Sequence, residues 1–287
     1  MGGSVHAGLE AGGTKMVVGI ADEGGRLLAR ESLPTRDPET TIPAVRAAIA
    51  RLAAGRRVES LGIGTFGPAQ TLRDRPRYGF ITRTPKAGWS DIDLLGPLAD
   101  LAERTAFDTD VNGAALAEAA AWRGGGTAPL AYVTVGTGIG VGVARPDGVL
   151  AGTAHYEGGH VPVPRAPGDE ARSVCPFHDD CAEGLAAGPS WQARLGRSLS
   201  EADPDDPART HAAFYLGQLC RTLTFLHAPG RIVMGGGVMK TPGLLSAVRE
   251  EARRLTGEYG PEAPEIVSPT LDDDAGLMGA IVLGRAA

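Results

Sequence analysis

Two histidines and two cysteines in one short stretch carry the donor atoms that a metal ion requires. His160 comes first, and Cys175, His178 and Cys181 follow at a spacing of three residues. Two thiolates and two neutral imidazoles would hold Zn²⁺ in a tetrahedral site without net charge. Residues 161–174 are rich in Pro, Arg and Asp, which is typical of a loop that such an ion would staple. The sequence therefore predicts a structural zinc site, and the alternative is a polar loop with two unpaired thiols.

Two glycine-rich turns, at residues 12–15 and 136–138, could bind the phosphates of a nucleotide. Each turn could present backbone N–H groups and a threonine hydroxyl to a phosphate. Glycine is needed there because a Cβ atom would keep the phosphate at a distance. Glycine hairpins without a ligand are common, so either turn alone is weak evidence. Two of them at equivalent places in the chain favour a polyphosphate that is held from both sides.

A run of three glycines, Gly235, Gly236 and Gly237, ends a predicted strand late in the chain. Glycines there would let a flat ligand such as a purine lie on the backbone. The same residues also fit a plain strand-to-helix turn, and both interpretations remain open. Residues 138–142 have glycine spacing similar to a dinucleotide fingerprint. We reject that fingerprint because a strand, and not a helix, continues through them.

Asp110 follows a predicted strand and precedes a helical pattern that starts at Asn112. A carboxylate at such a junction could take a proton from a substrate hydroxyl. Asp110 and Asn112 are also residue types that cap helices. On spacing alone, a cap is the favoured interpretation over a catalytic base.

These residues belong to two stretches of the chain that share one plan. Each stretch has three strands joined by glycine-bearing turns, then helical segments, then a further strand. The first three strands are predicted at residues 4–10, 16–21 and 26–32, and their counterparts at residues 130–135, 139–144 and 149–152. The helices are predicted at residues 42–54, 112–123 and 208–227, and the later strands at residues 60–64 and 231–234.

The repeated plan predicts two similar α/β domains that face each other, with a boundary near Asp110. Residues 1–111 would form the N-terminal domain, with the first phosphate turn. Residues 112–287 would form the C-terminal domain, with the second phosphate turn, the zinc loop and the glycine triplet at residues 235–237. The C-terminal helix could pack back on the N-terminal domain. The alternative is a pair of generic α/β meanders whose glycine turns coincide by chance.

Composition limits the class of protein. The chain has 287 residues, 43% of them hydrophobic and 22% charged, which predicts a globular fold with its own core. The net charge is −6 and the charges of both signs are interspersed, which argues against broad nucleic-acid binding. The sequence contains no apolar run of transmembrane length, and it begins like a strand, not like a signal peptide. We therefore expect a cytoplasmic protein with no membrane partner.

Taken together, these segments resemble the ROK family (repressors, open reading frames and kinases), and within it the zinc-containing bacterial fructokinases. The resemblance covers nearly the whole chain. Glu10, before the first phosphate turn, stands where many relatives have Asp and is similar to the fructokinase pattern. The segment from Gly79 to Trp89 is similar to the sugar-side segment of that subgroup. Thr109 departs from the family pattern, because many members have Asn at the position before the aspartate that matches Asp110.

The resemblance implies a sugar kinase/hsp70/actin (ribonuclease H-like) fold of two domains, with a duplicated mixed sheet and an active-site cleft between the domains. It implies that Asp110 is the catalytic base and that His160, Cys175, His178 and Cys181 form the zinc loop. The implied sugar-binding residues are Gly67, Pro68, Trp89, Asn112, Glu157, His160 and Glu183. The implied ATP-binding residues are Gly12, Gly13, Thr14, Lys15, Gly136, Thr137, Gly138, Gly188, Pro189, Gly235, Gly236 and Gly237.

The expected function is phosphorylation of D-fructose at its 6-hydroxyl by Mg²⁺ and ATP. The resemblance also implies a homodimer that carries structural Zn²⁺. One alternative is another hexose kinase of the family that acts on glucose, mannose or an N-acetylhexosamine. A second alternative is a non-catalytic sugar sensor, which would keep Glu157, His160 and the zinc but would need neither both phosphate turns nor Asp110.

Overall fold

The computed structural model describes residues 3–287, and the chain divides into two compact units. Unit 1 contains the N-terminal part up to Ala121 together with Pro146–His155 and Asp273–Ala287. Unit 2 contains Trp122–Arg145 and Tyr156–Asp272. The chain therefore leaves and re-enters unit 1.

Twelve strands and seven α-helices make up the described chain. The strands are β1 (Val5–Ala11), β2 (Lys15–Ala21), β3 (Leu27–Pro34), β4 (Val58–Thr65), β5 (Phe80–Ile81), β6 (Ile92–Asp93), β7 (Arg104–Thr109), β8 (Leu130–Val135), β9 (Ile139–Arg145), β10 (Gly148–Val149), β11 (Arg231–Gly235) and β12 (Glu265–Val267). The helices are α1 (Pro38–Ala53), α2 (Asp110–Ala121), α3 (Ala182–Ala186), α4 (Gly188–Leu195), α5 (Pro207–His227), α6 (Leu244–Thr256) and α7 (Ala275–Arg285). Short 3-10 helices span Gly96–Leu101, Gly158–His160, Leu199–Glu201, Val238–Lys240 and Asp272–Asp274.

The sheet of unit 1 has the strand order β3-β2-β1-β4-β7. β1 pairs with β2 in the antiparallel direction and with β4 in the parallel direction, and β4 pairs with β7 in parallel. β1 and β4 are nearly continuous runs of buried residues, as expected for strands covered on both faces. β3 alternates half-buried and exposed positions because it lies at the sheet edge.

Helix α1 packs against β2 and β3 of the unit 1 sheet and is capped at both ends. The Asp37 side chain accepts a hydrogen bond from Thr40 N–H and so caps the start of α1, which ends where Ala54 takes a left-handed conformation. α1 buries Val45 and Ile49 in the core of this unit.

The C-terminal helix α7 packs against β1, β4 and α2 within unit 1. Two glycines allow this approach because side chains there would collide with backbone. A Cβ atom on Gly62 would lie 2.6 Å from the Gly284 nitrogen, and one on Gly279 would lie 2.6 Å from the Ala114 nitrogen. The last helix of the chain is thus part of the core that begins with the first strand.

The strands of unit 2 follow the order β9-β8-β11-β12, which repeats the order β2-β1-β4-β7 of unit 1. β8 pairs with β9 in the antiparallel direction and with β11 in parallel, and β11 pairs with β12 in parallel. The long helix α5 starts at the Asp206 cap and packs against α6. The repeated order confirms the prediction of an α/β fold with a duplicated mixed sheet.

Most predicted elements are present, with shifted ends. β8 spans the predicted residues, and α5 begins one residue earlier than predicted. α2 starts at Asp110 and ends at Ala121, whereas the helical pattern predicted residues 112–123. The strand predicted at residues 149–152 is only Gly148–Val149, because Ala151 and Gly152 are exposed and have low strand propensity. Within residues 3–287, every helix is too short or too polar to cross a membrane.

Adding a methyl group at Gly279 should destabilise the protein. Gly279→Ala places a Cβ against the backbone of α2, and overpacking of this kind costs about 1–3 kcal/mol. Thermal unfolding should show a melting temperature lower by about 2–4 °C for each kcal/mol lost. Gly152→Ala is the matched control, because a Cβ there meets no atom within 4 Å. Equal melting temperatures for the two variants would contradict the close packing of α7.

Candidate functional site

The four predicted metal ligands converge in unit 2. His160 ends the 3-10 helix Gly158–His160, and Cys181 precedes α3, whose first turn it caps through its sulfur. Cys175 Sγ lies 3.6 Å from His178 Nδ1 and 3.8 Å from His160 Nδ1, and Cys181 Sγ lies 3.7 Å from the same His160 nitrogen. One ligand atom from each of the four residues lies within 4.8 Å of all the others.

These distances fit a small tetrahedral ion. Zinc–sulfur bonds of about 2.3 Å and zinc–nitrogen bonds of about 2.0–2.1 Å place sulfur and nitrogen roughly 3.5 Å apart around a tetrahedral centre. The three sulfur–nitrogen separations in the cluster are 3.6–3.8 Å, close to that value. Two thiol and two imidazole donors are also a set that zinc prefers. The residues therefore fit the zinc site that the sequence predicts.

Hydrogen bonds within the loop support two of the candidate ligands, Cys181 and His178. Pro162 and Cys181 form an isolated antiparallel bridge, and Ala182 N–H donates to the Val161 carbonyl at 3.0 Å. The Ser173 hydroxyl donates to the His178 carbonyl at 2.8 Å. The cluster is thus preorganised by hydrogen bonds within the loop.

Asp169 attaches the same loop to the rest of unit 2, and sequence reasoning did not find this contact. Asp169 accepts hydrogen bonds from Tyr215 Oη at 2.5 Å and from Arg194 at 2.7 Å, and the side chains of Asp169 and Arg194 are almost fully buried. Burial raises the pKa of Asp169, but the hydrogen bonds from Tyr215 and Ala171 and the charge of Arg194 outweigh it, so the pKa lies below its ordinary value. No local pattern signals this contact, because the three side chains come from separate elements.

The second glycine turn joins β8 to β9. Gly136 N–H donates to the Gly138 carbonyl at 2.9 Å, which closes the turn and leaves Thr137 exposed at its tip. The Gly136 carbonyl accepts from Gly188 N–H at 2.8 Å. Gly188 and Pro189 start α4, so the first residue of this helix contacts the turn directly.

The glycine triplet lies at the same end of β8. Gly236 has a φ angle of +94°, and a Cβ atom there would lie 2.6 Å from the backbone of Val135, the last residue of β8. Gly235 is buried in β11, whereas Gly237 is exposed. The structure therefore brings together the three segments of unit 2 that the sequence assigned to the nucleotide.

Glu157, His160 and Glu183 also lie in unit 2. Glu157 is exposed before the 3-10 helix, and its carbonyl accepts from His160 N–H at 3.0 Å. Glu183 Oε1 lies 3.7 Å from His160 Nε2, the imidazole nitrogen that faces away from the cysteines. Glu183 Oε2 accepts from Ile139 N–H at 2.8 Å. The imidazole of His160 thus has the metal cluster on one side and a carboxylate on the other.

The first glycine turn joins β1 to β2 in unit 1. Gly12 N–H donates to the Lys15 carbonyl at 3.0 Å, and the Gly12 carbonyl accepts from the Thr35 hydroxyl at 2.7 Å. Gly13, Thr14 and Lys15 are exposed. The turn is therefore closed and supported, with its tip open to a ligand.

Asp110 is the first residue of α2, at the junction predicted from the sequence. Its Oδ1 accepts from Val111 N–H at 2.8 Å. The capping hydrogen bond comes from Thr109, whose hydroxyl accepts from Asn112 N–H at 3.3 Å. Thr109, the departure from the family pattern, thus supplies the cap, and neither Asp110 nor Asn112 is needed for it.

Asp108, which is half-buried, and Asn112, which is buried, form a hydrogen-bonded pair next to Asp110. Asn112 Nδ2 donates to Asp108 Oδ1 at 2.7 Å, and Asn112 is only 1% exposed. Burial raises the pKa of Asp108 above its ordinary value. Hydrogen bonds from Asn112 and from Thr109 N–H lower it but do not outweigh the burial. Sequence reasoning missed Asp108, although its spacing of four residues from Asn112 was a signal for a side-chain contact between the two.

Trp89 lies in the core of unit 1. Its side chain has no exposed surface, its indole N–H donates to the Arg36 carbonyl at 2.8 Å, and its ring meets Phe66 edge to face with centroids 5.8 Å apart. Gly67 and Pro68 directly follow Phe66 in the loop after β4. In this structure Trp89 therefore supports the loop that carries Gly67 and Pro68.

Comparison with known proteins places this arrangement among sugar kinases. A model described as the ROK family matches residues 6–287. A fructokinase of Pediococcus pentosaceus is 38% identical over 283 residues, which are 97% of each chain. A ROK hexokinase from Thermus thermophilus has a solved structure with a TM-score of 0.80 and 33% identity, over 98% of each chain.

A second solved structure is a ROK family glucokinase from Streptomyces griseus in complex with glucose and AMPPNP. Its TM-score is 0.79 and its identity 26%, over 99% of this chain and 100% of that one. These full-length similarities confirm the sugar kinase/actin-like fold predicted from the sequence.

Replacing Cys181 should remove the metal ion from the protein. We expect the purified wild-type chain to retain one equivalent of metal after dialysis, and Cys181→Ser to lose it because a tetrahedral site needs all four ligands. Elemental analysis by mass spectrometry measures this directly. Cys220→Ala is the matched control, since Cys220 is buried on α5 outside the cluster. Equal metal content in the two variants would contradict the assignment.

Replacing Thr109 should destabilise unit 1 through the cap. Thr109→Ala removes the hydroxyl that accepts from Asn112 N–H, and loss of such a cap costs about 0.5–2 kcal/mol. Thr109→Ser keeps the hydroxyl and should stay close to wild type in urea unfolding. A Ser variant as unstable as the Ala variant would show that the methyl group, and not the hydrogen bond, is what matters.

Proposed function

The chain belongs to the ROK family, and from this premise we propose that it transfers the terminal phosphoryl group of Mg·ATP to the 6-hydroxyl of D-fructose. The observation that carries the proposal is the 38% identity to a fructokinase over 97% of both chains. The Streptomyces griseus glucokinase, by contrast, is 26% identical. The prediction of an ATP-dependent sugar kinase is thereby confirmed, and the site residues below are assigned as proposals.

Asp110 is the proposed general base. Its carboxylate would orient the sugar hydroxyl and accept its proton as the oxygen attacks the γ-phosphorus. Two features of the site support this role. Thr109 supplies the helix cap, and the Asp110 carboxylate lies at the start of α2, at the positive end of the helix dipole. The hydrogen bond between Asp108 and Asn112 supports the junction at which Asp110 lies.

Glu157, His160 and Glu183 are the proposed hydrogen-bonding partners of the sugar hydroxyls. The three residues lie in one part of unit 2, with His160 and Glu183 only 3.7 Å apart. Gly67 and Pro68 would contribute backbone to the sugar site. Trp89 and Asn112 are buried in unit 1, so we assign them supporting roles for the neighbouring loop and for Asp108.

The glycine segments are the proposed nucleotide site. Backbone N–H groups of the turns at residues 12–15 and 136–138 would stabilise charge on the phosphates, because positioning and electrostatics carry most of phosphoryl transfer. Gly188 and Pro189, at the start of α4, lie against the second turn. The triplet at residues 235–237 would accommodate the base, because its backbone carries no side chain there.

Zn²⁺ is the proposed occupant of the cluster formed by His160, Cys175, His178 and Cys181. The sulfur–nitrogen separations of 3.6–3.8 Å support it. Zinc in a closed site of four protein ligands supplies folding energy and no open position for chemistry. The homodimer that the resemblance implies stays a prediction, which the molecular mass in solution would test.

Another hexose is the second candidate substrate. The solved structures that match this chain over nearly its full length include the Thermus thermophilus hexokinase and the glucokinase bound to glucose. The decisive measurement is initial-rate ADP release with fructose, glucose, mannose and N-acetylglucosamine. The highest kcat/KM on fructose is expected. A higher kcat/KM on another sugar would leave the assignment as a sugar kinase intact and would overturn fructose as the substrate.

Replacing Asp110 with Asn should abolish turnover and leave nucleotide binding intact. General-base catalysis contributes about 10²–10⁴ in rate, so kcat should fall by at least about 10². Binding of AMPPNP, measured by calorimetry, should change little because Asn keeps the size of the side chain. Asp74→Asn, an exposed aspartate in unit 1, is the matched control. A turnover near the wild-type value in Asp110→Asn would exclude Asp110 as the base.

A further inference from the structure

We infer that Glu183 positions the second phosphate turn and couples it to the metal centre, so that the metal centre sets nucleotide affinity. The inference rests on the proposed function, and it gives Glu183 a role beyond the sugar contact assigned above. All the contacts that carry it lie within unit 2.

The two oxygens of Glu183 face two different groups. Oε2 accepts from Ile139 N–H at 2.8 Å, immediately after the turn, whereas Oε1 lies 3.7 Å from His160 Nε2. A Cβ atom on Gly138 would lie only 2.7 Å from Oε2. The carboxylate therefore lies directly against the turn, and glycine at position 138 leaves room for it.

Two segments that carry metal ligands both contact the residue after the turn. The 3-10 helix that ends at His160 lies so close to Ile139 that a Cβ atom on Gly159 would come within 2.9 Å of the Ile139 carbonyl carbon. α3, which Cys181 caps, carries Glu183 to the Ile139 N–H. An ion that joins His160 to Cys181 would therefore tie together the two segments that bracket Ile139.

The other end of the turn depends on the same part of the chain. Gly188 N–H donates to the Gly136 carbonyl at 2.8 Å, and Gly188 is only two residues beyond the end of α3. α3 and the start of α4 thus hold both ends of the turn, one through a carboxylate and one through a backbone amide. A shift of α3 would move both contacts.

The orientation of His160 supplies the electrostatic link. Its Nδ1 faces both sulfur atoms, so a metal-bound imidazole carries its remaining proton on Nε2, which faces Glu183. A carboxylate near the second nitrogen of a metal-bound histidine fixes the ring and is itself held by it. The separation of 3.7 Å makes this an electrostatic contact and not a direct hydrogen bond.

The competing interpretation is that Glu183 only contacts the sugar. In that case its loss would raise the KM for fructose and leave the free-enzyme affinity for nucleotide unchanged. Under our inference, nucleotide affinity falls even when no sugar is present, because the Ile139 amide loses the acceptor that orients the turn. The two roles are therefore separated by measuring nucleotide binding without sugar.

The experiment compares the zinc-loaded wild type with Glu183→Ala and Glu183→Gln. AMPPNP affinity in Mg²⁺ without sugar is measured by calorimetry, and hydrogen exchange of the Ile139 amide by mass spectrometry or NMR. Loss of a hydrogen bond to a charged acceptor predicts about tenfold to a hundredfold weaker binding and faster exchange in Glu183→Ala. Glu183→Gln keeps an oxygen acceptor and should lose less. Glu250→Ala, an exposed acid on α6, is the control.

Metal removal from the wild type by a chelator gives a second, independent arm. It should weaken AMPPNP binding and accelerate exchange at Ile139 in the wild type. In Glu183→Ala it should add little, because the link is already broken, and this non-additivity is the signature of coupling. Metal content and melting temperature are recorded for each variant. If Glu183→Ala does not fold, Glu183→Gln and the metal-free wild type still decide the question.

Unchanged AMPPNP affinity and unchanged Ile139 exchange in Glu183→Ala and in the metal-free wild type would overturn the inference. A wild type that binds no AMPPNP at all would instead overturn the proposed function. In that case the exchange rate of the Ile139 amide still reports whether Glu183 and the metal hold the turn.

Discussion

Close approach of one backbone to another, permitted by glycine, is the constraint on which the architecture depends. In unit 1, Gly62 and Gly279 let α7 lie on the sheet and against α2. In unit 2, Gly159 brings the segment that ends at His160 onto Ile139, and Gly236 lies against Val135. A side chain at these positions would separate elements that must touch. The 42 glycines of the chain are therefore partly packing residues and not only turn residues.

The loop that carries the metal ligands has two anchors of different physical kinds. Near His160 and Cys181 the donors would be joined by an ion, whereas Asp169 is tied to Arg194 and Tyr215 by charge-assisted hydrogen bonds. The first anchor depends on metal supply and the second does not. Loss of metal should therefore release the two ends of the loop, at His160 and Cys181, while its middle stays attached to α4 and α5 through Asp169.

Local sequence patterns predicted those candidate site residues that lie close together along the chain. The convergence of two histidines and two cysteines could be predicted because three of the four lie within seven residues of one segment. The glycine turns and Asp110 were found at strand ends for the same reason. The burial of Trp89 could not be predicted in this way. The family segment assigns Trp89 to the sugar side, and in the structure its indole is enclosed in the core and donates to the Arg36 carbonyl. Burial is a property of the packed fold and cannot be read from a segment.

Periodicity, turn residues and donor types at short spacing predict the α/β class, the repeated plan of strands and helices, and the set of two histidines and two cysteines. The kinase family is predicted by the resemblance of whole segments to known members. Other contacts are visible only in the folded chain: Thr109 caps α2, Asp108 accepts from Asn112, and Glu183 reaches both His160 and the Ile139 amide. Glu183 and Ile139 are separated by 44 residues, so their contact depends on how α3 packs against the sheet. Hydrogen bonds of that range depend on the packing of whole elements, which no local pattern encodes.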